Sequence, residues 1–420
     1  VTIEITPADL DLARFIRPGD VVVCAQDSGQ PLSLTEALVA QQARIGPLTA
    51  FVGYSVADTF APDAAPGIAY EGFGAMGTLA RLSKAGRIGV RPCHYSQLPE
   101  LFTSGRWRAD VALITASPAV QCGPLSFGCS MVYAHAAAER ARVVIVEVND
   151  RMPWMFGAEV PSDLRIDVIV RTSRQLPQVS GPKIGETERK IAELVAGLIP
   201  DRATIQLGVG AVPDAIALAL AHHRHLSFHT GMLSESFLPL IEAGAVDNSS
   251  KPIDRGVTVS GFYVGTDAFF AKLHRNAAFA CRPPTYTHAI DVVTRIPRFH
   301  SINTAIEVDL AGRVNAEIAD GAYVGGTGGA LDYTRGAQLS PGGRSIVALP
   351  ATARKGTVSR IVPRCDAAVT VPAADIDTVV TEFGVAELKG LTFAERAKRM
   401  IAIAHPAFRE ILEQSAIAAR

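Results

Sequence analysis

Short apolar, β-branched runs recur along this chain with helix-like stretches between them, and that alternation narrows the fold more than any other feature. "DVVVCAQ", "ADVALITAS", "ARVVIVEVND", "ATIQLGVG", "RSIVALPA" and "AAVTVPA" read as buried strands. "PLSLTEALVAQQ", "GETERKIAELVAGL" and "FAERAKRMIAIA" read as helices. A strand followed by a helix returns to the sheet by a crossover, so its next strand runs parallel. The expectation is an α/β fold with a mostly parallel sheet. At 420 residues two domains are expected.

Composition excludes several function classes. Hydrophobic residues make up 48% and charged residues 19%, which suits a large packed core and not a disordered chain. The formal net charge is −1 and no block of lysine or arginine stands out, so neither nucleic acid nor a membrane surface is an expected partner. The longest apolar stretch of note, "DAIALALA" (214–221), is too short to span a bilayer. The opening "VTIEITPADLDLARF" carries acids and lacks an apolar signal core. Cys24, Cys93, Cys122, Cys129, Cys281 and Cys365 are scattered, with no CxxC pair. Small buried thiols in a reducing compartment are expected, not disulfides or zinc, and the expected location is cytoplasmic.

A short internal repeat supports two similar halves. Near the start a strand leads into "GQPLSLTEALVA", and past mid-chain a strand leads into "GAVPDAIALALA". Counted from Pro31 and Pro213, an aliphatic residue falls at +3 (Leu34, Ile216), alanine at +6 (Ala37, Ala219) and leucine at +7 (Leu38, Leu220). Proline is tolerated in a first helical turn because its missing N–H has no partner there anyway. The boundary is expected near 178–190, giving domains 1–185 and 186–420, the second carrying the glycine loops described next.

"LGVGAVPDAI" (207–216) sets Gly208, Val209 and Gly210 between a strand and a helix start. Glycine permits positive φ and lets a ligand approach the main chain, and free amides at a helix start suit an anion or oxyanion. A tight structural turn is the plain alternative. The spacing is not G-x-G-x-x-G, so no dinucleotide site is expected. In "AYVGGTGGALDYTRGAQLSPGGRS" (322–345), Gly325, Gly326, Gly328 and Gly329 crowd one loop, which implies a close backbone approach. Asp332 and Arg335 behind it are read as structural.

These stretches resemble a known family. "INTAIEVDLAGRVNAE" (302–317), the glycine loop with "DYTRGA", and "VVTEFGVAELKGLTFAERAKRMIAIAHPAF" (379–408) are similar to the acetyl-CoA hydrolase/transferase family, which includes 4-hydroxybutyrate and butyryl CoA-transferases. "VEVNDRMPWMFG", "GPKIGETE", "QLGVGAVPDA" and "SRIVP" fit the same family in order. The resemblance covers essentially the whole chain. It implies two similar CoA-transferase-type (NagB/RpiA-like) α/β domains with mostly parallel sheets and an active site at their interface. It further implies an acyl-CoA and a small carboxylic acid as substrates, with no metal. The implied chemistry is ping-pong transfer of coenzyme A through a glutamate nucleophile, by an acyl-glutamyl anhydride and an enzyme–CoA thioester. The glycine-loop amides of Gly208 and Gly210 would hold the oxyanions.

The sequence departs from that pattern at its reactive point. The family's nucleophile lies in a stretch of the form H-[ST]-E-M, and here the residues are His229, Thr230, Gly231 and Met232. Glycine cannot be a nucleophile. Gln30 stands before Pro31 where transferases often carry an acid, and Ala330 follows Gly328 and Gly329 where many carry glutamine. Gln30, Thr230, Gly231 and Met232 are therefore the expected substrate-pocket residues. Three acids could substitute for the missing glutamate: Glu307 in "AIEVDL", Glu235 four residues beyond Gly231, and Glu71 in "YEGFGAMG". The plain alternative for each is an ordinary ion-paired or hydrogen-bonded carboxylate.

Three functions stay open. The first is an acyl-CoA:carboxylate CoA-transferase with an altered nucleophile site. The second is an acyl-CoA thioester hydrolase, with water in the vacated space and Glu307 or His229 as general base. The third is a non-catalytic acyl-CoA-binding protein. His229 reads equally as a wall residue. His222, His223 and His225 suit a helix carboxyl end better than a metal site. Arg354, Lys355 and Lys389 could meet CoA phosphates or simply be solvated. Thr392 and Glu395 form a capping box. The composition permits a homodimer without requiring one.

Overall fold

The structure, a computed structural model, describes residues 2–418 apart from 122, 180, 182 and 209. The chain forms two compact units. One comprises Val1–Ser180, Val259–Thr287 and Ala322–Gly328, and the other Gly181–Thr258, His288–Gly321 and Gly329–Arg420. Gly325, Gly326 and Gly328 thus belong to the first unit and Gly329 to the second.

In the first unit the strands are β1 (Ile3–Ile5), β2 (Val21–Cys24), β3 (Leu48–Val52), β4 (Ile68–Gly72), β5 (Ile88–Val90), β6 (Val111–Ala116), β7 (Val143–Asn149) and β8 (Val168–Thr172). They hydrogen-bond in the order β1-β8-β7-β6-β2-β3-β4-β5, and every pairing is parallel. All six residues of β6 are buried, as expected of a central parallel strand covered on both faces. The edge strands β1 and β5 contain no buried residue. Helix α1 (Leu32–Ile45) starts directly after Pro31 and ends at Gly46, whose φ of 95° requires glycine or strain. It buries Leu34, Leu38 and Ile45 in one cluster with Val22, Leu48, Ile68 and Val111. Each such aliphatic side chain contributes about 1.5–3 kcal/mol by leaving water.

The second unit repeats this plan. Strands β9 (Thr204–Leu207), β10 (Ser227–Ser234), β11 (Phe299–Asn303), β14 (Arg344–Ala348), β16 (Thr378–Thr381) and β17 (Gly384–Glu387) run in the order β10-β9-β11-β14-β16-β17. All pairings are parallel except the antiparallel edge pair β16–β17. Strands β12 (Glu307–Asp309), β13 (Val314–Asn315) and β15 (Ile361–Val362) form a small separate sheet. Helices α2 (Glu186–Ala196) and α3 (Ala211–Ala219) pack together, and α4 (Ala330–Leu339) packs on β11 and β14. Helix α5 (Phe393–Ala402) starts with the expected capping box: the Glu395 amide donates to Thr392 Oγ1 at 3.4 Å, and the Thr392 amide donates to Glu395 Oε2 at 2.8 Å. Helix α6 (Pro406–Ala418) follows.

The α/β architecture with large, mostly parallel sheets agrees with the sequence. One strand does not. "AAVTVPA" (367–373) forms a single bridge, Val371 to Val314, and the sheet strand is the following "TVVT" of β16. Pro372 removes a ladder donor just where a strand would continue, and Val369 stays 45% exposed. Among the described residues no helix is long and apolar enough to cross a membrane.

Candidate active site

In an open parallel sheet, ligands gather at the carboxyl ends of the two strands where chain connections diverge. In the second unit those strands are β9 and β11, because β9 leads to β10 on one side while β11 borders it on the other. A side-chain bond from Gln206 Nε2 to Asn303 Oδ1, 3.2 Å, ties the two strands together there. The Gly208 amide donates to the Ile302 carbonyl at 3.1 Å. Gly210 caps α3 with φ of 120°, a conformation that L side chains rarely adopt. Val209 lies outside the described residues.

Gly231 sits inside β10, and by strand alternation His229 shares its face. His229 is fully buried, its ring 6.1 Å from that of Phe299. Thr230 Oγ1 donates to the Leu207 and Met232 carbonyls at 3.2 and 3.0 Å, and Met232 is buried. The room beside Gly231 is filled by a residue that no sequence signal marked. A Cβ built on Gly231 would stand 2.6 Å from Cε1 and 2.7 Å from Nε2 of His288. A Cβ built on Gly329 would stand 2.3 Å from Cδ2 and 2.4 Å from Nε2 of the same ring. His288 therefore lies between two glycines, with the Tyr333 ring at 4.4 Å. Burial, followed by the neighbouring His229, pushes its imidazole down to about 3, so the ring is neutral at physiological pH. Gly329 is the N-cap of α4, which sets the first amides of that helix beside the ring.

In the first unit the corresponding divergence falls between β2 and β6. The turn after β2 holds Asp27, fully buried with φ of 49°. Its Oδ2 accepts from Gln26 Nε2 at 3.1 Å and Ser130 Oγ at 3.2 Å, while Oδ1 has no hydrogen-bond partner. Burial pushes the carboxyl up to about 8. Gln30 is locked by three hydroxyls: Ser55 Oγ donates to its Oε1 at 2.9 Å, and its Nε2 donates to Thr35 and Thr59 at 3.2 and 3.3 Å. The crowded glycine loop lies against the chain's own backbone: the Ala75 amide donates to the Gly325 carbonyl at 2.9 Å, Gly74 bridges Gly326, and the Tyr95 amide donates to the Gly328 carbonyl at 3.0 Å.

The remaining candidates are spread out. Glu307 accepts from Asn315 Nδ2 at 3.0 Å, and Glu71 pairs with Arg91 at 2.7 Å. Glu235 opens a 3-10 turn beyond β10. Arg335 makes a two-pronged pair with Asp375, and Arg354 pairs with Asp320. His225 meets Asp247 at 2.7 Å and His223 meets the Ile199 carbonyl at 2.9 Å, each a separate contact. Among the described residues no group of three or more His, Cys, Asp or Glu is placed to hold a metal. His288 and Asp27 escaped sequence reasoning because each is a single polar residue in a loop. The glycine at 231 was the one trace of the first.

Comparison with known proteins bears on this arrangement. Residues 8–174 match the acetyl-CoA hydrolase/transferase N-terminal domain and residues 265–416 match its C-terminal domain. The chain is 42% identical to a 4-hydroxybutyrate coenzyme A transferase of Clostridium kluyveri over 78% of this chain and 77% of that protein. It is 27% identical to an acetyl-CoA hydrolase of Eremothecium gossypii over 80% of this chain and 72% of that one. The crystal structure of RipA from Yersinia pestis superposes with a TM-score of 0.93 at 32% identity, covering 99% and 97% of the two chains.

Proposed function

The chain belongs to the acetyl-CoA hydrolase/transferase family and is an enzyme acting on CoA thioesters, and on that premise we propose that it moves coenzyme A from a short or medium acyl-CoA to a small carboxylic acid without a glutamyl intermediate. The observation that carries this reading is Gly231, which stands where the H-[ST]-E-M stretch of the family has its glutamate. With no carboxylate at that point, the acceptor acid attacks the thioester directly.

Hydrolysis is the second reading. It is supported by the likeness to an acetyl-CoA hydrolase and by the glycine at 231, because a site without its own nucleophile accepts water as readily as a carboxylate. The His288 ring already takes up space beside Gly231 that a side chain would need, so an attacking water has to come from another direction. Incubation with acetyl-, butyryl- and longer acyl-CoAs, with and without acetate, tests both readings. New acyl-CoA formed only with acetate supports transfer, and free CoA without any acid supports hydrolysis. Absence of both from every thioester sinks the enzymatic proposal and leaves acyl-CoA binding.

A further inference from the structure

We propose that the first unit carries a binding site for a small organic amine, in the cavity lined by residues 127–131, the helix Ala134–Arg140 and the loop 161–165. The cavity measures about 610 Å³, within the range of small-molecule sites, and all of its lining residues belong to the first unit. None of them is a residue considered above for thioester chemistry. Phe127 and Leu164 give the cavity apolar walls. Glu139 and Asp163 are exposed residues of its lining, and among the described residues neither carboxylate has an ion-pair or hydrogen-bond partner. Arg165 also lines the cavity but does not neutralise them. Its Nε meets Asp167 Oδ1 at 3.3 Å, and its guanidinium donates to the Ala141 carbonyl at 3.0 Å and to the Arg142 carbonyl. His135 stands one helical turn before Glu139, so the two side chains share a face of the helix. Its Nδ1 is buried and has no hydrogen-bond partner. Buried polar atoms are nearly always paired, so a bare ring nitrogen in the lining of a cavity points to a ligand that supplies the partner.

The chemistry of the lining selects an amine. Two carboxylates without partners attract a cation and repel an anion, which excludes the acceptor acid and coenzyme A itself from this cavity. A metal ion does not fit either: among the described residues no three His, Cys, Asp or Glu are placed to hold one. Burial pushes the His135 imidazole down to about 4, so the ring is uncharged at neutral pH and does not repel a cation. A neutral imidazole has one accepting nitrogen whichever of the two carries its proton. An ammonium on a short hydrocarbon stem meets all of these groups at once. Its N–H donors suit the two carboxylates and the imidazole, and its carbons suit Phe127 and Leu164.

The test is isothermal titration calorimetry of the full chain with hexylamine at neutral pH and low salt, with hexanoate and hexanol as controls. Saturable binding of hexylamine at one site is expected, with a Kd on the order of 1 mM or tighter. Neither control should bind comparably. Glu139→Gln and Asp163→Asn are each expected to weaken hexylamine about 3- to 10-fold, and the two together at least tenfold. His135→Phe, which keeps a ring but no nitrogen, is expected to cost about threefold or more. Both carboxylates are exposed, so their variants should melt with wild type, and hydrogen exchange gives a reading that needs no variant. Hexylamine should slow exchange at the amides of 134–141 and 161–165 in the wild-type chain. No heat of binding at concentrations tenfold above the expected Kd, equal affinity in the double carboxylate variant, equal binding of hexanol, or protection confined to other segments would each overturn the proposal. Turnover of acyl-CoA is not the readout, so the thioester reading stands or falls separately.

Discussion

His288 and Gly231 compete for one volume: Nε2 of the histidine lies 2.7 Å from the point where a Cβ on the glycine would stand. Heavy atoms do not approach so closely, so a side chain at 231 must displace the ring, which Gly329 and Tyr333 border elsewhere. Placing a glutamate at 231 alone is therefore expected to fail as a way to make a nucleophile. Gly231→Glu should lower thermal stability by about 1–3 kcal/mol through overpacking and give no covalent enzyme–CoA species. Gly231→Glu combined with His288→Gly frees the space, and a CoA thioester on the substituted peptide is expected by mass spectrometry after acyl-CoA treatment. An adduct in the single variant would show that the two residues do not exclude one another.

Gly74 gives a second expected outcome. A Cβ there would stand 2.6 Å from the Gly325 carbonyl oxygen, a backbone atom that cannot rotate away. Gly74→Ala should push the 325–328 loop off its contacts at Ala75 and Tyr95. Hydrogen exchange should rise at the Ala75 and Tyr95 amides, and acyl-CoA turnover should fall about tenfold or more if the loop serves catalysis. Unchanged exchange at both amides would mean that the loop tolerates the methyl group.

The sequence made the layer plan legible because central parallel strands must be apolar on both faces, and β6 and β7 announce themselves that way. The repeat around Pro31 and Pro213 was equally visible, since β2 leading to α1 and β9 leading to α3 occupy matching places in their sheets. Gly231 was singled out only by the resemblance of its stretch to the H-[ST]-E-M pattern. Its counterpart His288 lies 57 residues away in "YTHAI", and no local spacing connects the two. Nor could the glycine crowding at 325–328 reveal that Gly74 was the backbone it meets, because that contact spans some 250 residues.

Asp27 should give stability a measurable pH dependence. Its carboxyl is raised to about 8 by burial, against about 3.9 in an unfolded chain. Between those values the native state binds more protons, so this residue's contribution is fully present below pH 4 and is lost as pH rises through 8. Asp27→Asn keeps an oxygen for Gln26 and Ser130, suits the φ of 49°, and cannot ionise. Its melting temperature is expected to gain on wild type as pH goes from 5 to 8.5, by several degrees at the upper end. A gap that stays constant across that range would mean the carboxyl is not protonated in the fold.

Lys251 should act with the opposite sign. The residue is 2% exposed, and Nζ donates to the Phe228 carbonyl at 2.9 Å and the Val257 carbonyl at 2.5 Å, fastening the start of β10 to residue 257. Burial pulls its amine down to about 7, with Asp254 opposing weakly, whereas an unfolded lysine titrates near 10.4. Between these values the unfolded chain binds more protons, so stability rises with pH from 7 towards 10. Lys251→Met removes both the titration and the two hydrogen bonds. At pH 6 wild type must bury an ammonium, which offsets much of what the bonds contribute, and the variant should be only slightly less stable. At pH 9 the neutral amine still donates and no charge is buried, so the deficit of the variant should grow by about 1–3 kcal/mol. Thermal melts of both proteins at pH 6, 7.5 and 9 read this directly. A deficit independent of pH would show that the amine remains charged within the fold.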